Sequence, residues 1–181
     1  MKHVCPVWLA GGLDNRLRRL VQNPRKILSP YLKEGMTALD IGCGPGFFTL
    51  DMAVLVGAAG KLFAADLQDE MLDIVRRKIA GTELEERIVL HKCAETRIGL
   101  PEKVDFALAF YMVHEVPDKK AFLAEIHGLL KPGGALLVIE PPFHVSGKAF
   151  AAMLDVAREV GFTVHDGPKL WLSRGVLLRN G

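Results

Sequence analysis

One stretch, residues 37–50, constrains the fold of this chain more than any other. It reads Thr-Ala-Leu-Asp-Ile-Gly-Cys-Gly-Pro-Gly-Phe-Phe-Thr-Leu. Its apolar start is typical of a buried strand, and the apolar spacing that continues to Val56 is typical of a helix. Between the two lies a turn that contains Gly42, Gly44 and Gly46. Such a turn places the helix N-terminus at the carboxyl end of the strand, where ligands bind in open α/β sheets.

The spacing of these glycines bears on which ligand could bind. They form Gly-x-Gly-x-Gly, with Asp40 two residues before the first glycine. The dinucleotide fingerprint requires Gly-x-Gly-x-x-Gly, and Phe47 occupies the place of its third glycine. A carboxylate at the strand end also suits a ligand with an amino group better than one with phosphates. The pattern therefore disfavours a nicotinamide dinucleotide but leaves an NAD(P)-dependent oxidoreductase as an alternative.

The rest of the chain alternates apolar runs with helical patterns and turn residues. The last two runs are joined only by Asp166-Gly-Pro, and so short a connection favours an antiparallel pair. The other connections contain helical patterns, which favours parallel pairing. Asp118 and Ser146 are the expected N-caps of two of these helices, and Lys131-Pro-Gly-Gly is expected to form a turn. Beyond the strand that precedes the glycine turn, strands are predicted at residues 62–66, 87–91, 104–110, 135–139, 162–165 and 170–178.

The first 35 residues differ from the rest in being basic and less regular. Leu13, Leu17 and Leu20 repeat at helical spacing, and Asn23-Pro24 is typical of the start of a second helix, which ends at Leu28. The basic side chains indicate either a solvated helix face or a lid that meets an anionic acceptor. We therefore expect an N-terminal helical cap over residues 1–35 and an α/β domain over residues 36–181.

Composition limits the class of protein further. The 181 residues are half apolar, which is typical of a single domain with a full core. A formal charge of +2 is too small to argue for a nucleic-acid partner. The three cysteines lack metal-ligand spacing, so we expect no metal site, reduced thiols and a cytoplasmic location. No apolar run approaches the roughly 20 residues that a membrane helix needs.

Three motifs together indicate a family. They are acid-x-Gly-x-Gly-x-Gly at residues 40–46, Val-His-Glu-Val-Pro-Asp at 113–118 and Leu-Leu-Lys-Pro-Gly-Gly at 129–134. On these motifs the chain resembles the class I S-adenosylmethionine-dependent methyltransferases, in particular the small-molecule type of the ubiquinone/menaquinone-biosynthesis and type 11 group. The resemblance implies a Rossmann-like, doubly wound, mostly parallel seven-stranded sheet with its last strand antiparallel. It also implies S-adenosyl-L-methionine as cofactor.

The resemblance suggests which residues hold this cofactor. The glycine turn would pack under its methionine part, and Asp40 would hold its amino end. Asp66, at the end of the second strand, could accept both ribose hydroxyls, or it could cap the next helix. Cys93 stands where the family often has an acid for the adenine amino group, and Glu95 could substitute for that acid. In the family the next backbone N–H, here that of Ala94, meets an adenine ring nitrogen. The expected cofactor contacts are Asp40, Gly42, Cys43, Gly44, Gly46, Phe47, Asp66, Leu67, Met71, Cys93, Ala94, Glu95 and Phe110.

The segment after the fourth strand contains the candidate catalytic side chains Tyr111, His114 and Glu115. His114 has an intrinsic pKa suited to a general base, although a structural hydrogen bond at a strand end would explain it equally well. Glu115 could orient His114 or face solvent. The segment lacks the Asn/Asp-Pro-Pro-aromatic motif of methyltransferases that act on nucleobase amino groups. We therefore expect methyl transfer onto a small molecule; a non-catalytic cofactor-sensing or partner-binding module is the main alternative.

Overall fold

The computed structural model describes Arg19 and residues 22–181. The chain divides into an N-terminal unit that ends at Gly99 and a C-terminal unit over Leu100–Gly181. Apart from Arg19, the helix predicted from Leu13 onwards lies outside the described residues, and so does most of the expected cap. The boundary at residue 35 stays a prediction.

The N-terminal unit is built on three parallel strands, of which the middle one pairs with both others. Two of these strands are short, mostly apolar and almost entirely buried, as strands covered on both faces should be, and the third is partly exposed. Leu39, Met52, Leu62 and Met71 are almost fully buried in its core. Its elements in chain order are α1 (Pro24–Leu28), β1 (Thr37–Ile41), α2 (Thr49–Val56), β2 (Lys61–Asp66), α3 (Asp69–Ile79) and β3 (Ile88–Lys92).

The predicted start of α1 is confirmed. Asn23 is its N-cap, and the Asn23 side chain accepts a hydrogen bond from the Lys26 backbone N–H at 3.2 Å. Pro24 occupies the first turn, where its missing N–H has no partner to lose. The helix ends at Leu28, before the predicted boundary at Ser29-Pro30.

The C-terminal unit has one parallel and two antiparallel strand pairs. β4 pairs in parallel with β5, while β7 runs antiparallel to both β5 and β6. The helices begin at side-chain caps from Asp118 and Ser146, both as predicted. Its elements are β4 (Val104–Phe110), a 3₁₀ turn (Val113–Glu115), α4 (Lys119–Leu129), β5 (Leu130–Glu140), α5 (Gly147–Val160), β6 (Phe162–Asp166) and β7 (Arg174–Asn180).

The predicted fold class is confirmed. The seven strands have the order β3-β2-β1-β4-β5-β7-β6 in a mostly parallel sheet, with the last strand of the chain antiparallel to its neighbours. No helix among the described residues has both the length and the apolarity to cross a membrane.

Two strands begin more than one residue away from their predicted starts. β5 begins at Leu130, because the glycine-rich segment predicted as a turn forms a bulge inside the strand: Val104 is opposite Leu130, and Phe106 is opposite Ala135. Lys131 Nζ stabilises the bulge by donating to Asp105 Oδ2 at 2.7 Å. β7 begins at Arg174 rather than at residue 170, because residues 167–173 form a loop instead of extending the strand.

An ion cluster joins the start of the described chain to α2. The Asp51 side chain on α2 is only 9% exposed and accepts from Arg19 Nη1 at 2.7 Å and from Arg25 Nε at 2.8 Å. The Arg19 guanidinium also lies over the Phe47 ring, 5.3 Å from its centroid. These contacts attach Arg19 and α1 to the segment that contains the glycine turn.

Asp51→Ala should lower the free energy of unfolding by about 1–3 kcal/mol, because it leaves two guanidinium groups without their shared, nearly buried carboxylate. The matched control is Asp155→Ala. Asp155 pairs with Arg158 on α5, but its side chain is 73% exposed. That control should stay within about 0.5 kcal/mol of the wild type in urea unfolding. Equal losses in the two variants would contradict a structural role for the Asp51 cluster.

Candidate functional site

The glycine turn in the N-terminal unit is held by backbone hydrogen bonds from its own first residues. The N–H groups of Gly42 and Cys43 both donate to the Ala65 carbonyl, at 2.8 and 3.0 Å. Gly42, Gly44 and Gly46 all have positive φ, at 65°, 53° and 88°. Residues with a Cβ rarely adopt this conformation, which explains the alternating glycines. The turn is therefore determined by the end of β2 as much as by its own sequence.

Asp66, at the end of β2, connects this turn to the following helix. Its Oδ2 accepts from the Gly44 N–H and its Oδ1 from the Gln68 N–H, both at 2.9 Å. Asp66 does not cap α3, whose N-cap is Gln68. Burial raises the pKa of the Asp66 carboxyl, and the backbone donors act against that rise. The side chain thus has a structural role that the sequence interpretation did not include.

Asp40, at the end of β1, is a buried carboxyl with a raised pKa. It is 3% exposed, and its Oδ2 accepts from the Thr49 hydroxyl at 2.7 Å. Burial raises its pKa to about 7; the Thr49 hydrogen bond lowers the pKa, and the nearby charge of Asp66 raises it further. A carboxyl in this state would gain from a cationic partner, since such a partner favours its charged form.

The cysteine and phenylalanine of the turn have packing roles. Cys43 is buried, and desolvation together with the Asp40 and Asp66 charges raises the pKa of its thiol well above the ordinary value. The thiol is therefore neutral and a poor nucleophile. Phe47 is 3% exposed and packs edge-on against Phe48, with ring centroids 5.0 Å apart. A bulky, buried ring thus stands where a dinucleotide-binding turn would have its third glycine.

The other candidate cofactor contacts vary in accessibility. Met71 is 1% exposed and belongs to the core, whereas Leu67 is 37% exposed. The Cys93 N–H donates to the Asp66 carbonyl at 2.9 Å, which fixes the segment after β3 beside the end of β2. The Ala94 N–H, which the resemblance assigned to an adenine nitrogen, donates to the Arg97 carbonyl at 2.9 Å. Glu95 is exposed.

In the C-terminal unit, His114 pairs with a carboxylate from the neighbouring strand. His114 Nδ1 lies 2.5 Å from Oε2 of Glu140, the last residue of β5, and the His114 backbone N–H donates to Oε1 at 3.2 Å. Glu140 is 2% exposed, and burial raises its pKa while the His114 contacts lower it. Because a carboxylate only accepts hydrogen bonds, Nδ1 holds the proton of this contact.

Glu140 is thus a second candidate to orient His114 beside Glu115, for which that role stays a prediction. Glu115 follows His114 in the 3₁₀ turn, but the carboxylate that reaches the ring belongs to Glu140. The signal that could have identified Glu140 was present: an acid ends β5, and β5 lies beside β4 in the sheet. Carboxyl ends of neighbouring parallel strands meet at one edge, so an acid there is close to the residues that follow β4.

Tyr111 and Phe110 complete the end of β4. The two rings pack with centroids 4.4 Å apart, and Phe110 is 8% exposed. Tyr111 has φ 59°, an unusual value for a residue with a side chain, and its hydroxyl lies 2.5 Å from Ser173 Oγ.

In the described part of the chain, no group of three or more His, Cys, Asp or Glu side chains is arranged to hold a metal ion.

Comparisons with known proteins agree on one family. Residues 38–134, more than half of the chain, match the methyltransferase domain family. A demethylmenaquinone methyltransferase from Lactobacillus johnsonii is 32% identical over 110 residues, which are 60% of this chain and 45% of that protein. A ubiquinone/menaquinone biosynthesis C-methyltransferase from a Marinomonas species is 32% identical over 133 residues, 73% of this chain and 51% of that protein. The chain thus spans about half the length of these relatives.

A solved structure matches over a larger share. The crystal structure of a SAM-dependent methyltransferase from Aquifex aeolicus is similar with a TM-score of 0.88 and 28% identity. The match covers 98% of this chain and all of that one.

The raised pKa of Asp40 predicts how stability varies with pH. The folded protein keeps a proton up to about pH 7 that the unfolded chain releases near the ordinary value of 3.8, so stability falls as pH rises through this range. Asp40→Asn removes the titration and can still accept from Thr49. Its stability relative to wild type should rise by on the order of 2–3 kcal/mol between pH 5 and pH 8 in urea unfolding. The exposed control Asp155→Asn should show no such rise, and a constant difference for Asp40→Asn would contradict the assignment.

Proposed function

The chain belongs to the class I S-adenosylmethionine-dependent methyltransferases, and on that premise we propose that it transfers a methyl group to a small hydroxyarene related to quinones. The paired His114 and Glu140 carry the proposal, because a buried carboxylate behind an imidazole is the arrangement of a general base. The printed names of the menaquinone and ubiquinone relatives support a quinone-related acceptor. Neither an oxidoreductase nor a non-catalytic sensing module finds support in these comparisons.

The N-terminal unit has residues that fit the cofactor. A Cβ built on Gly44 would meet no atom within 4 Å, so the turn leaves open space there for a ligand. We assign the amino end of the cofactor to Asp40, because a cationic amine beside this carboxyl would lower its raised pKa and favour its charged form. We assign the ribose to Asp66: its carboxylate has about four acceptor sites, and the backbone donors of Gly44, Gln68 and Leu67 leave one of them for a ribose hydroxyl.

In this proposal, the protein has to orient the acceptor and remove a proton from it before methyl transfer. When bound, S-adenosylmethionine supplies a methyl group on a cationic sulfur for in-line displacement. Glu140 holds the His114 ring in one tautomer, with the proton on Nδ1. Nε2 can then take the proton of an acceptor O–H, and Glu140 stabilises the imidazolium that forms. Loss of that proton makes the oxygen of a hydroxyarene, and the ring carbons ortho to it, more nucleophilic.

The remaining sequence expectations are part of this proposal. They are a small-molecule acceptor rather than nucleic acid, a cytoplasmic location, and a cap formed by the first 35 residues. For the cap, the Asp51 cluster is supporting evidence, because it attaches Arg19 and α1 to the helix that follows the glycine turn.

Cofactor binding is the first test. S-adenosylhomocysteine should raise the melting temperature of the wild type, and NAD or NADP should not.

Asp66→Asn should weaken S-adenosylhomocysteine binding roughly 10- to 150-fold in calorimetry, because it removes charge-assisted hydrogen bonds of about 1.5–3 kcal/mol. Asp105→Asn is the control, since Asp105 pairs with Lys131 at the bulge of β5. Unaltered affinity in a folded Asp66→Asn protein would show that the assigned cofactor contact is wrong.

Methyl transfer is the second test. With 1,4-dihydroxynaphthalene kept reduced under argon as acceptor, His114→Gln and Glu140→Gln should lower kcat for S-adenosylhomocysteine release by about 10²–10⁴-fold. Affinity for S-adenosylhomocysteine should be unchanged in both. Glu115→Gln serves as a matched control and should stay within about threefold of wild type. If Glu115→Gln loses activity and Glu140→Gln keeps it, the orienting role belongs to Glu115 after all.

A further inference from the structure

The two ends of the loop over residues 167–173 lie very close together where the loop joins β6 and β7. A Cβ built on Gly167 would lie 2.4 Å from the Gly175 carbonyl carbon and 2.5 Å from the Val176 nitrogen. One built on Gly175 would lie 3.0 Å from the Pro168 oxygen. The two backbone segments are therefore in direct contact at the base of the loop, and only glycine allows this. Compact loops with ends this close are frequently functional.

The tip of this loop exposes large apolar side chains. Trp171 is 74% exposed and Leu172 is 51% exposed. Leu172 also has φ 50°, and in the described part of the chain only Tyr111 shares a positive φ among residues with a side chain. Backbone conformations of this kind cost free energy and cluster at ligand-binding sites. An exposed indole next to a strained residue is unfavourable for the isolated protein, which suggests that the tip is shaped for a ligand.

Hydrogen bonds hold the loop at the same end of the C-terminal unit as the His114–Glu140 pair. Ser173 Oγ lies 2.5 Å from the Tyr111 hydroxyl, and Tyr111 comes three residues before His114. At the other side, Arg174 follows the loop directly and is opposite Glu140 in the strand register. Leu172 precedes Ser173, and Ser173 is hydrogen-bonded to Tyr111. The two non-glycine residues with positive φ, Tyr111 and Leu172, are therefore connected through this one side-chain hydrogen bond.

A second exposed aromatic ring belongs to the segment after Glu140. The His144 ring packs edge-on against His114, with centroids 5.4 Å apart, and Phe143 packs against His144 at the same distance. Phe143 is 71% exposed. Arg174 Nη1 donates to the Val145 carbonyl at 2.8 Å and so ties this segment to the base of β7. Exposed aromatic side chains therefore lie on two loops that side-chain contacts connect to the segment around the candidate base.

We propose that the loop over residues 167–173 is an acceptor-binding loop, and that Trp171 determines specificity by packing against the planar ring of the hydroxyarene. The inference rests on the proposed function. A single aromatic side chain contributes at most about 150–250 Å² of contact. Trp171, Leu172 and Phe143 together fall short of the ~800 Å² per partner that a stable protein interface needs. A small planar ligand next to the base matches this area, and a second protein chain does not.

The kinetic test separates binding of the acceptor from chemistry. With 1,4-dihydroxynaphthalene as the probe, Trp171→Ala should raise KM roughly 10-fold while kcat and the affinity for S-adenosylhomocysteine stay unchanged. Trp171→Phe should recover most of the loss, because it keeps an aromatic face. Val89→Ala, which truncates an exposed apolar side chain on β3, is the control and should have no effect on KM.

Tyr111 and Ser173 test whether the hydrogen bond between them positions the loop. If it does, Tyr111→Phe and Ser173→Ala should raise KM by similar factors, and the double variant should be no worse than either single one. A loss of kcat in Tyr111→Phe with normal kinetics in Ser173→Ala would instead assign Tyr111 to the chemistry and overturn the positioning role.

A binding measurement keeps the inference separate from turnover. The chain has two tryptophans, Trp8 and Trp171, so in a Trp8→Phe protein the fluorescence comes from Trp171 alone. Its quenching by acrylamide should fall about twofold when 1,4-dihydroxynaphthalene is added in the presence of S-adenosylhomocysteine. Unchanged quenching, or an unchanged KM in Trp171→Ala while the wild type turns over the probe, overturns the acceptor loop and leaves the proposed function intact. Protection of Trp171 with no methyl transfer by the wild type refutes the proposed function but supports the loop as a binding element.

Discussion

The hydrogen bond between the Gly44 N–H and the Asp66 carboxylate is the contact on which the N-terminal unit depends. Within the turn, the Gly46 N–H donates to the Cys43 carbonyl at 3.1 Å, whereas the N–H groups of Gly42, Cys43 and Gly44 take acceptors from elsewhere. The end of β2 supplies them, through the Ala65 carbonyl and the Asp66 side chain. The same carboxylate that is assigned to the ribose therefore also shapes the turn on which the cofactor would rest. In this assignment, Asp66 would both stabilise the turn and bind the cofactor.

Both units bury carboxylates at the carboxyl ends of parallel strands. Asp40, Asp66 and Glu140 are each less than 8% exposed, and burial is the largest cause of the raised pKa of each. Such groups are costly unless hydrogen-bonded, and each has a partner: a hydroxyl, two backbone amides and an imidazole, respectively. A carboxylate in the middle of an apolar strand would lack hydrogen-bond donors. In each unit these acids are instead at the ends of strands. The unfavourable free energy of burying these carboxylates has a functional explanation if they bind a cationic ligand or take part in a proton transfer.

The difference between Glu115 and Glu140 explains how far the candidate site could be predicted. His114 was identified from a local motif, and a neighbour in the sequence was the natural candidate to orient it. The carboxylate found at its Nδ1, that of Glu140, is distant in sequence and adjacent in the sheet, where β4 and β5 run in parallel. The Tyr111–Ser173 contact has the same origin, because Ser173 precedes a strand that returns antiparallel beside β5. In both cases the partner depends on strand order, which a local pattern does not contain.

The sequence by itself determined the parts of this protein that depend on neighbouring residues. These include the strand–turn–helix around the three glycines, the helix starts at Asn23, Asp118 and Ser146, and the antiparallel final hairpin. Tertiary structure decided what those elements touch: the bulge at Lys131–Gly134, the narrow base of the 167–173 loop, and the partners of Asp66 and His114. The physical reason is that φ/ψ preference and hydrophobic period act over a few residues, whereas desolvation and hydrogen bonding of a buried polar group depend on segments that the fold brings together.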